Sequence, residues 1–233
     1  MAYENFKILT FDVVGTLIDF ERGMLQYFRQ AVDAPHVSDE VFLAAYPKAS
    51  AHSGSSDFFP GSLQAAWPVM ARELDFDGSP ALARGFTASV SDWPAFPDST
   101  ASLARLGKHF KLMAMTNGQR WAYDVFKARL GDPFDASITS DDAQCEKPDP
   151  RFFELADQQV RAMGLTNAQR LHTAQSQHHD IGIAHQRGLA TCWIERRHGL
   201  PGYGATPPPE HFTVPDFHFH TLRTLADAVE AEG

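Results

Sequence analysis

Cysteine is scarce in this chain: Cys145 and Cys192 are the two among 233 residues, and no CxxC pair occurs. Two thiols cannot build a disulfide framework and fit a reducing compartment, so a cytoplasmic location is expected. Positive charge is also short, with 20 Lys and Arg against 29 Asp and Glu and a formal net charge of −9. Nucleic acid rewards a basic surface, and anionic membranes reward polybasic segments, so neither is expected as a partner. No stretch approaches the roughly 18 uncharged apolar residues that a spanning helix needs. The opening MAYENFKILTFD carries an early acid and no long apolar region, so no secretory signal is expected. Internal repeats and low-complexity tracts are absent as well.

What is present is ordinary globular composition, 43% hydrophobic and 21% charged. A chain of this length can bury a full core, as one domain or as a domain with an insertion. Short apolar runs at 6–11, 110–115, 136–138, 170–174 and 189–194 alternate with helical spacing at 99–109, 121–130, 150–163 and 180–187. That alternation predicts an α/β fold with a parallel sheet covered by helices on both faces. Ligands of such sheets gather at the carboxyl ends of the strands. Asp12, Thr116 with Asn117, and Thr173 to Gln175 all follow predicted strands.

From about 20 to 93 the alternation breaks into helical segments at 21–33, 38–49, 62–75 and 79–91. This predicts a helical subdomain over 20–93 inserted into a core of 1–19 and 94–233, with WPAFPD (93–98) as a proline-stiffened return. The stretch LPGYGATPPP (200–209) reads as a loop, and the C-terminal FHFHTLRTLADAV as a strand then a helix.

An Asp at the end of a buried strand is costly to desolvate, so Asp12 must be paired or used. It opens the first of four ordered stretches, DVVGTL (12–17), MTNG (115–118), EKPDP (146–150) and AQSQHHD (174–180). Together they resemble the haloacid dehalogenase (HAD) superfamily, whose fold is a Rossmann-like parallel-sheet core with an inserted α-helical cap. The resemblance implies that Asp12 is a nucleophile, with Gly15 and Thr16 shaping the loop behind it. A carboxylate nucleophile splits one hard displacement into two easier steps through an ester. Lys147 would keep Asp12 ionised, and Thr116 and Asn117 would donate hydrogen bonds. Asp180 would orient or deprotonate the water that hydrolyses the ester.

Phosphatases of the superfamily carry a second Asp where this chain has Val14, and a magnesium-binding carboxylate where it has Gln175. Both changes disfavour phosphoryl transfer, and neither a metal nor a cofactor is expected. The metal-independent branch, the type II 2-haloacid dehalogenases, is similar to this chain in EKPDPRFFELA, GLATCWIERR and WPAFPD. It implies attack by Asp12 on carbon 2 of a small carboxylic acid, then hydrolysis by water. The branch usually has an Arg on the first cap helix, where VFLAAYPKAS (41–50) offers Tyr46 and Lys48. Its Ser, Asn and Trp of the fourth stretch become Gln175, Gln177 and His179.

With the leaving-group pocket altered in this way, hydrolytic opening of azetidine-2-carboxylate is the alternative, with His178 or His179 supplying a proton. A phosphatase and a non-catalytic binding protein on the same scaffold stand further off. Arg22, Arg120 and Lys48 are the basic side chains available to anchor a substrate carboxylate. The branch's habit of pairing through the cap makes a homodimer the assembly the resemblance allows. His218 and His220 share one face of a predicted strand, a spacing compatible with a metal, but with no carboxylate or Cys partner evident in sequence they are expected to be surface histidines.

Overall fold

The computed structural model describes residues 3–232; Met1, Ala2 and Gly233, at the ends of the expected core, lie outside it. Six parallel strands form one sheet: β1 (Ile8–Phe11), β2 (Lys111–Met115), β3 (Ala136–Ile138), β4 (Arg170–Ala174), β5 (Ala190–Ile194) and β6 (Phe217–Phe219). Their order is β3-β2-β1-β4-β5-β6. The chain therefore winds outward from β1 in one direction, then restarts at β4 and winds in the other. The reversal falls between β1 and β4, where the carboxyl ends of the strands open a crevice. β1 is buried at every position, as a central parallel strand must be.

Helices α1 (Phe20–Ala31), α2 (Asp39–His52), α3 (Leu63–Leu74) and α4 (Pro80–Ala88) all lie between β1 and β2. Helices therefore fill most of the 20–93 stretch, with no sheet strand among them. Core helices α5 (Ser99–Leu106), α6 (Arg120–Arg129), α7 (Ser140–Ala143), α8 (Pro150–Ala162), α9 (Gly182–Gln186) and α10 (Leu222–Glu232) complete the chain. Asp19, Ser38 and Asp149 cap α1, α2 and α8 through their side chains. The insertion holds itself together with aromatic rings: Phe28 stacks on Phe42 at 4.1 Å, and Trp67 meets Phe76 and Phe86 at 5.0 and 4.9 Å. Such pairs add about 0.5–1.5 kcal/mol each beyond their area. No helix among the described residues is long and apolar enough to cross a membrane.

The insertion joins the core through α1 and the return segment. Ile18 bridges Ala95, and a methyl added at Gly23 would lie 2.3 Å from the Trp93 ring. Trp93 is buried and wedged between Phe20 and Phe59, so it has nowhere to move. Gly23→Ala gains about 1 kcal/mol of helix propensity. It also drives a methyl into the indole, and overpacking costs about 1–3 kcal/mol. A net loss of stability is expected, read as a lower urea midpoint with an unchanged slope.

Candidate active site

β1 delivers Asp12 to the crevice, and the Asp12 N–H is tied to the Thr173 carbonyl at 3.1 Å. Gly15, at φ +93°, turns the chain back, which places the Thr16 hydroxyl 2.6 Å from Asp12 Oδ2. The same hydroxyl accepts from the Gln175 N–H at 2.8 Å, so one small side chain clamps the ends of β1 and β4 together. Lys147 arrives from the turn before α8. Its ammonium donates to Asp12 Oδ1 at 2.9 Å, Asp180 Oδ1 at 2.6 Å and the Met115 carbonyl at 2.8 Å. An ammonium has three donors, and all three are engaged.

Asp180 rides on a π-helical turn, Gln177–Ile181, capped by Ser176. π-turns widen a helix by one residue and occur often at functional sites. Here the turn aims Asp180 back at Lys147. A chain of donors supports it from below: Arg170 Nε donates to Thr10 Oγ1, that hydroxyl has its proton for His172 Nδ1, and His172 Nε2–H donates to Asp180 Oδ1 at 3.0 Å. Burial lowers the His172 pKa, which suits this neutral, Nε2-protonated ring. The other oxygen, Asp180 Oδ2, is buried without a protein partner.

Burial raises the Asp12 carboxyl to about 6, with Lys147 opposing and the Asp180 charge reinforcing the rise. Burial works the same way on Asp180, yet Lys147 and His172 prevail and hold it down near 2. One carboxylate is thus fixed as an anion while the other titrates close to neutrality. His179 is lowered to about 4 by burial, so its ring is neutral at pH 7. Burial pushes the Tyr46 phenol above its usual range, reinforced by the Glu146 charge, which leaves it a neutral donor.

These groups line a cavity of about 260 Å³ between the helical insertion and the core. Asp12, Val14, Tyr46, Asn117, Gln175, His179, Lys147 and Asp180 share its wall. Two expected site residues do not. Thr116 is buried and its hydroxyl accepts from the Gly118 N–H at 3.0 Å, closing the turn after β2. Gln177 points away from Asp12, accepting from the Thr213 N–H at 3.1 Å. Asn117 reaches the wall, but its amide is spent on the Lys147 backbone at 2.7 and 3.0 Å. It positions the lysine through its oxygen and one of its two N–H groups. Arg22, Arg120 and Lys48 lie off the wall, and Arg120 pairs with Asp142.

Sequence reasoning passed over Glu146, whose carboxylate faces the cavity and accepts from the Phe59 N–H at 2.7 Å. Burial raises its pKa. The signal was its place beside Lys147. It also passed over His172, one of three polar side chains in the five-residue β4. Residues 205–207 close one side of the cavity, and nothing in their sequence marks them for it.

A magnesium ion does not fit these residues. The carboxylate pair already shares an ammonium, Val14 has no ligand atom in its side chain, and the Gln175 amide oxygen takes the Thr206 hydroxyl.

Over 136 residues the chain is 34% identical to the (S)-2-haloacid dehalogenase of Pseudomonas sp. (strain YL), a match covering 58% of this chain. It spans 53% of that relative's length, about half. The L-2-haloacid dehalogenase from Xanthobacter autotrophicus superposes with a TM-score of 0.75 at 20% identity, over 98% of this chain and 100% of the other. The putative HAD-hydrolase YfnB from Bacillus subtilis, bound to magnesium, gives 0.75 at 17% identity, over 97% and 99%. At those identities the superpositions establish the fold, a Rossmann-type α/β core. A haloacid dehalogenase-like hydrolase model matches residues 6–165, more than half of the sequence, and the chain belongs to that family.

Proposed function

We propose that the protein is a metal-independent hydrolase that attacks carbon 2 of a small carboxylic acid through an Asp12 ester, with 2-haloacids as substrates. The observation that carries this reading is Lys147, held at hydrogen-bond distance from both Asp12 and Asp180 on a cavity wall. A cavity of about 260 Å³ suits an acid of a few heavy atoms, being smaller than most drug-sized sites. The relative named for (S)-2-haloacid dehalogenation supports the substrate class.

In the first step an Asp12 oxygen bonds to carbon 2 as the carbon–halogen bond breaks, and halide leaves with the electron pair. Inversion at carbon 2 follows from in-line attack. In the second step a water oriented by the Asp180 carboxylate adds to the Asp12 carboxyl carbon. Its proton passes to Asp180 as the new bond makes that oxygen acidic. Thr16 and Lys147 face different Asp12 oxygens, so whichever oxygen is not esterified keeps a donor that stabilises its charge. The bond from the carboxyl carbon to the substrate oxygen then breaks, the proton moves from Asp180 to that oxygen, a 2-hydroxy acid leaves, and Asp12 releases the second water proton to return to the carboxylate.

Halide release from (S)-2-chloropropionate tests the reading, and its absence at any pH overturns it. The nucleophile must be ionised and its pKa lies near 6, so kcat/KM is expected to be flat above pH 7. Below pH 6 it should fall about tenfold per unit. A profile that stays flat down to pH 5 would contradict a raised Asp12 carboxyl.

A specific observation favours a second reading. Lys147 is the one Lys or Arg on the described cavity wall, its donors are engaged, and Glu146 adds a negative charge. A substrate carrying an amine suits that wall better than a simple anion. Opening of azetidine-2-carboxylate by the same attack meets this, giving a 2-hydroxy acid with a chain-end amine. Under this reading Glu146→Gln raises KM for the azetidine about tenfold, the loss of one charge-assisted hydrogen bond. It leaves halide release from chloropropionate unchanged or faster.

A further inference from the structure

At the sheet edge, the structure supplies what the sequence did not show for His218 and His220: a carboxylate. Glu195 follows β5 directly, and its N–H donates to the Phe219 carbonyl of β6 at 2.8 Å, which fixes its position against the edge strand. His218 Nε2 lies 2.9 Å and His220 Nε2 3.6 Å from Glu195 Oε2. His198 Nδ1 approaches the same oxygen at 3.1 Å from the following turn. Among the described residues, Glu195, His218 and His220 are the one group of three whose ligand atoms lie within 4.8 Å of one another.

Three imidazoles converging on one carboxylate oxygen exceed what hydrogen bonding alone calls for. Two of them make ordinary contacts, and the third stops just outside hydrogen-bond range. The spacing has a better match. Bonds of about 2.0–2.1 Å in a tetrahedral site put neighbouring ligand atoms about 3.3 Å apart. The observed 2.9 and 3.6 Å bracket that separation. The rings are also restrained before any ion arrives. Trp193 stacks on His218 at 4.5 Å, and His198 stacks on His220 at 3.5 Å.

We propose that Glu195, His218 and His220 form a binding site for a borderline divalent transition-metal ion, of the zinc or nickel class. His198 lies alongside as the adjoining base. Two imidazoles and one carboxylate suit such ions, whereas magnesium and calcium prefer all-oxygen shells. The ion joins the end of β5 to β6, a three-residue edge strand that pairs with β5 alone in the sheet. Trp193 and Arg196 flank Glu195 and reach the active-site loops, donating to the Gln175 and Thr16 carbonyls at 2.8 and 2.9 Å. The site therefore braces the strand end that supports those loops, without touching the cavity.

The test uses untagged full-length protein, stripped with chelator and titrated with zinc chloride in a calorimeter, with thermal melts in parallel. One equivalent is expected to bind with Kd below about 10 µM, and the melting temperature should rise with zinc and not with magnesium. His218→Ala and His220→Ala should each weaken binding at least about tenfold and abolish the zinc-dependent rise, while circular dichroism reports an intact fold. Cobalt in place of zinc should give the visible absorption of a low-coordinate site, lost in both variants. No binding below about 100 µM, or binding that both variants retain, overturns the assignment.

Discussion

Asp12→Asn is expected to lower halide release by about 10⁴-fold or more while leaving the fold intact. An amide has no anionic oxygen with which to displace halide, so the loss falls on the chemical step and not on binding. The fold should survive for an electrostatic reason. In the native protein one buried ammonium faces two buried carboxylates, and the Asp180 charge is among the causes that raise Asp12. Replacing Asp12 by its neutral isostere leaves Lys147 and Asp180 as a balanced pair, with the Asn oxygen still placed to accept from Thr16 or Lys147. Melting temperature and circular dichroism should therefore stay close to native.

Isotope labelling separates the ester route from direct attack by water. In one turnover with enzyme in excess in ¹⁸O water, the ester route puts the label in the Asp12 carboxyl and leaves the product unlabelled. Tryptic cleavage after Lys7 and Arg22 isolates the segment 8–22, and fragmentation distinguishes Asp12 from Asp19 and Glu21. Label found in the product of the first turnover would refute a covalent Asp12 intermediate.

The parts of this structure that the sequence disclosed are those encoded by local pattern. The central strands are nearly continuous apolar runs, and the inserted helices carry their spacing and caps. Both therefore appear within a few residues of where periodicity puts them, as for β1 at Ile8–Phe11 and α8 at Pro150–Ala162. Asp12 was visible because an acid after such a run has no apolar explanation. Thr116 shows the limit. A hydroxyl at a strand end serves a ligand or the following turn equally well in sequence; here it accepts from the Gly118 N–H and lies off the cavity wall. Gln177 is displaced by the π-turn, whose extra residue rotates side chains in a way helical spacing does not report. Glu195 is 23 positions from His218, and only the parallel pairing of β5 with β6 brings them together. Contacts of that kind depend on topology, which periodicity does not contain.

Lys147→Met should be the most damaging substitution for stability, and its pH dependence identifies the cause. Methionine keeps the length and most of the volume of the lysine stem, so packing is nearly preserved. What vanishes is the cation between Asp12 and Asp180, whose side chains are 7% and 1% exposed. Removing one partner of a buried ion pair costs about 3–5 kcal/mol, because the remaining charge is left without compensation. Here two like charges remain. The lysine is also a cause that lowers Asp12, so without it the Asp12 carboxyl rises further above its native value of about 6. Its unfolded-state value stays near 3.9.

Between those two values the folded variant binds a proton that the unfolded chain does not, so its stability must fall as pH rises and recover on acidification. Denaturant titrations at pH 7.5 and pH 5 should show a large deficit against the native protein at the higher pH and a smaller one at the lower. Activity should be lost at both, since acidification restores the fold by neutralising the nucleophile. A deficit that does not change with pH would mean that the lysine acts through packing, and that the two carboxylates do not share its charge.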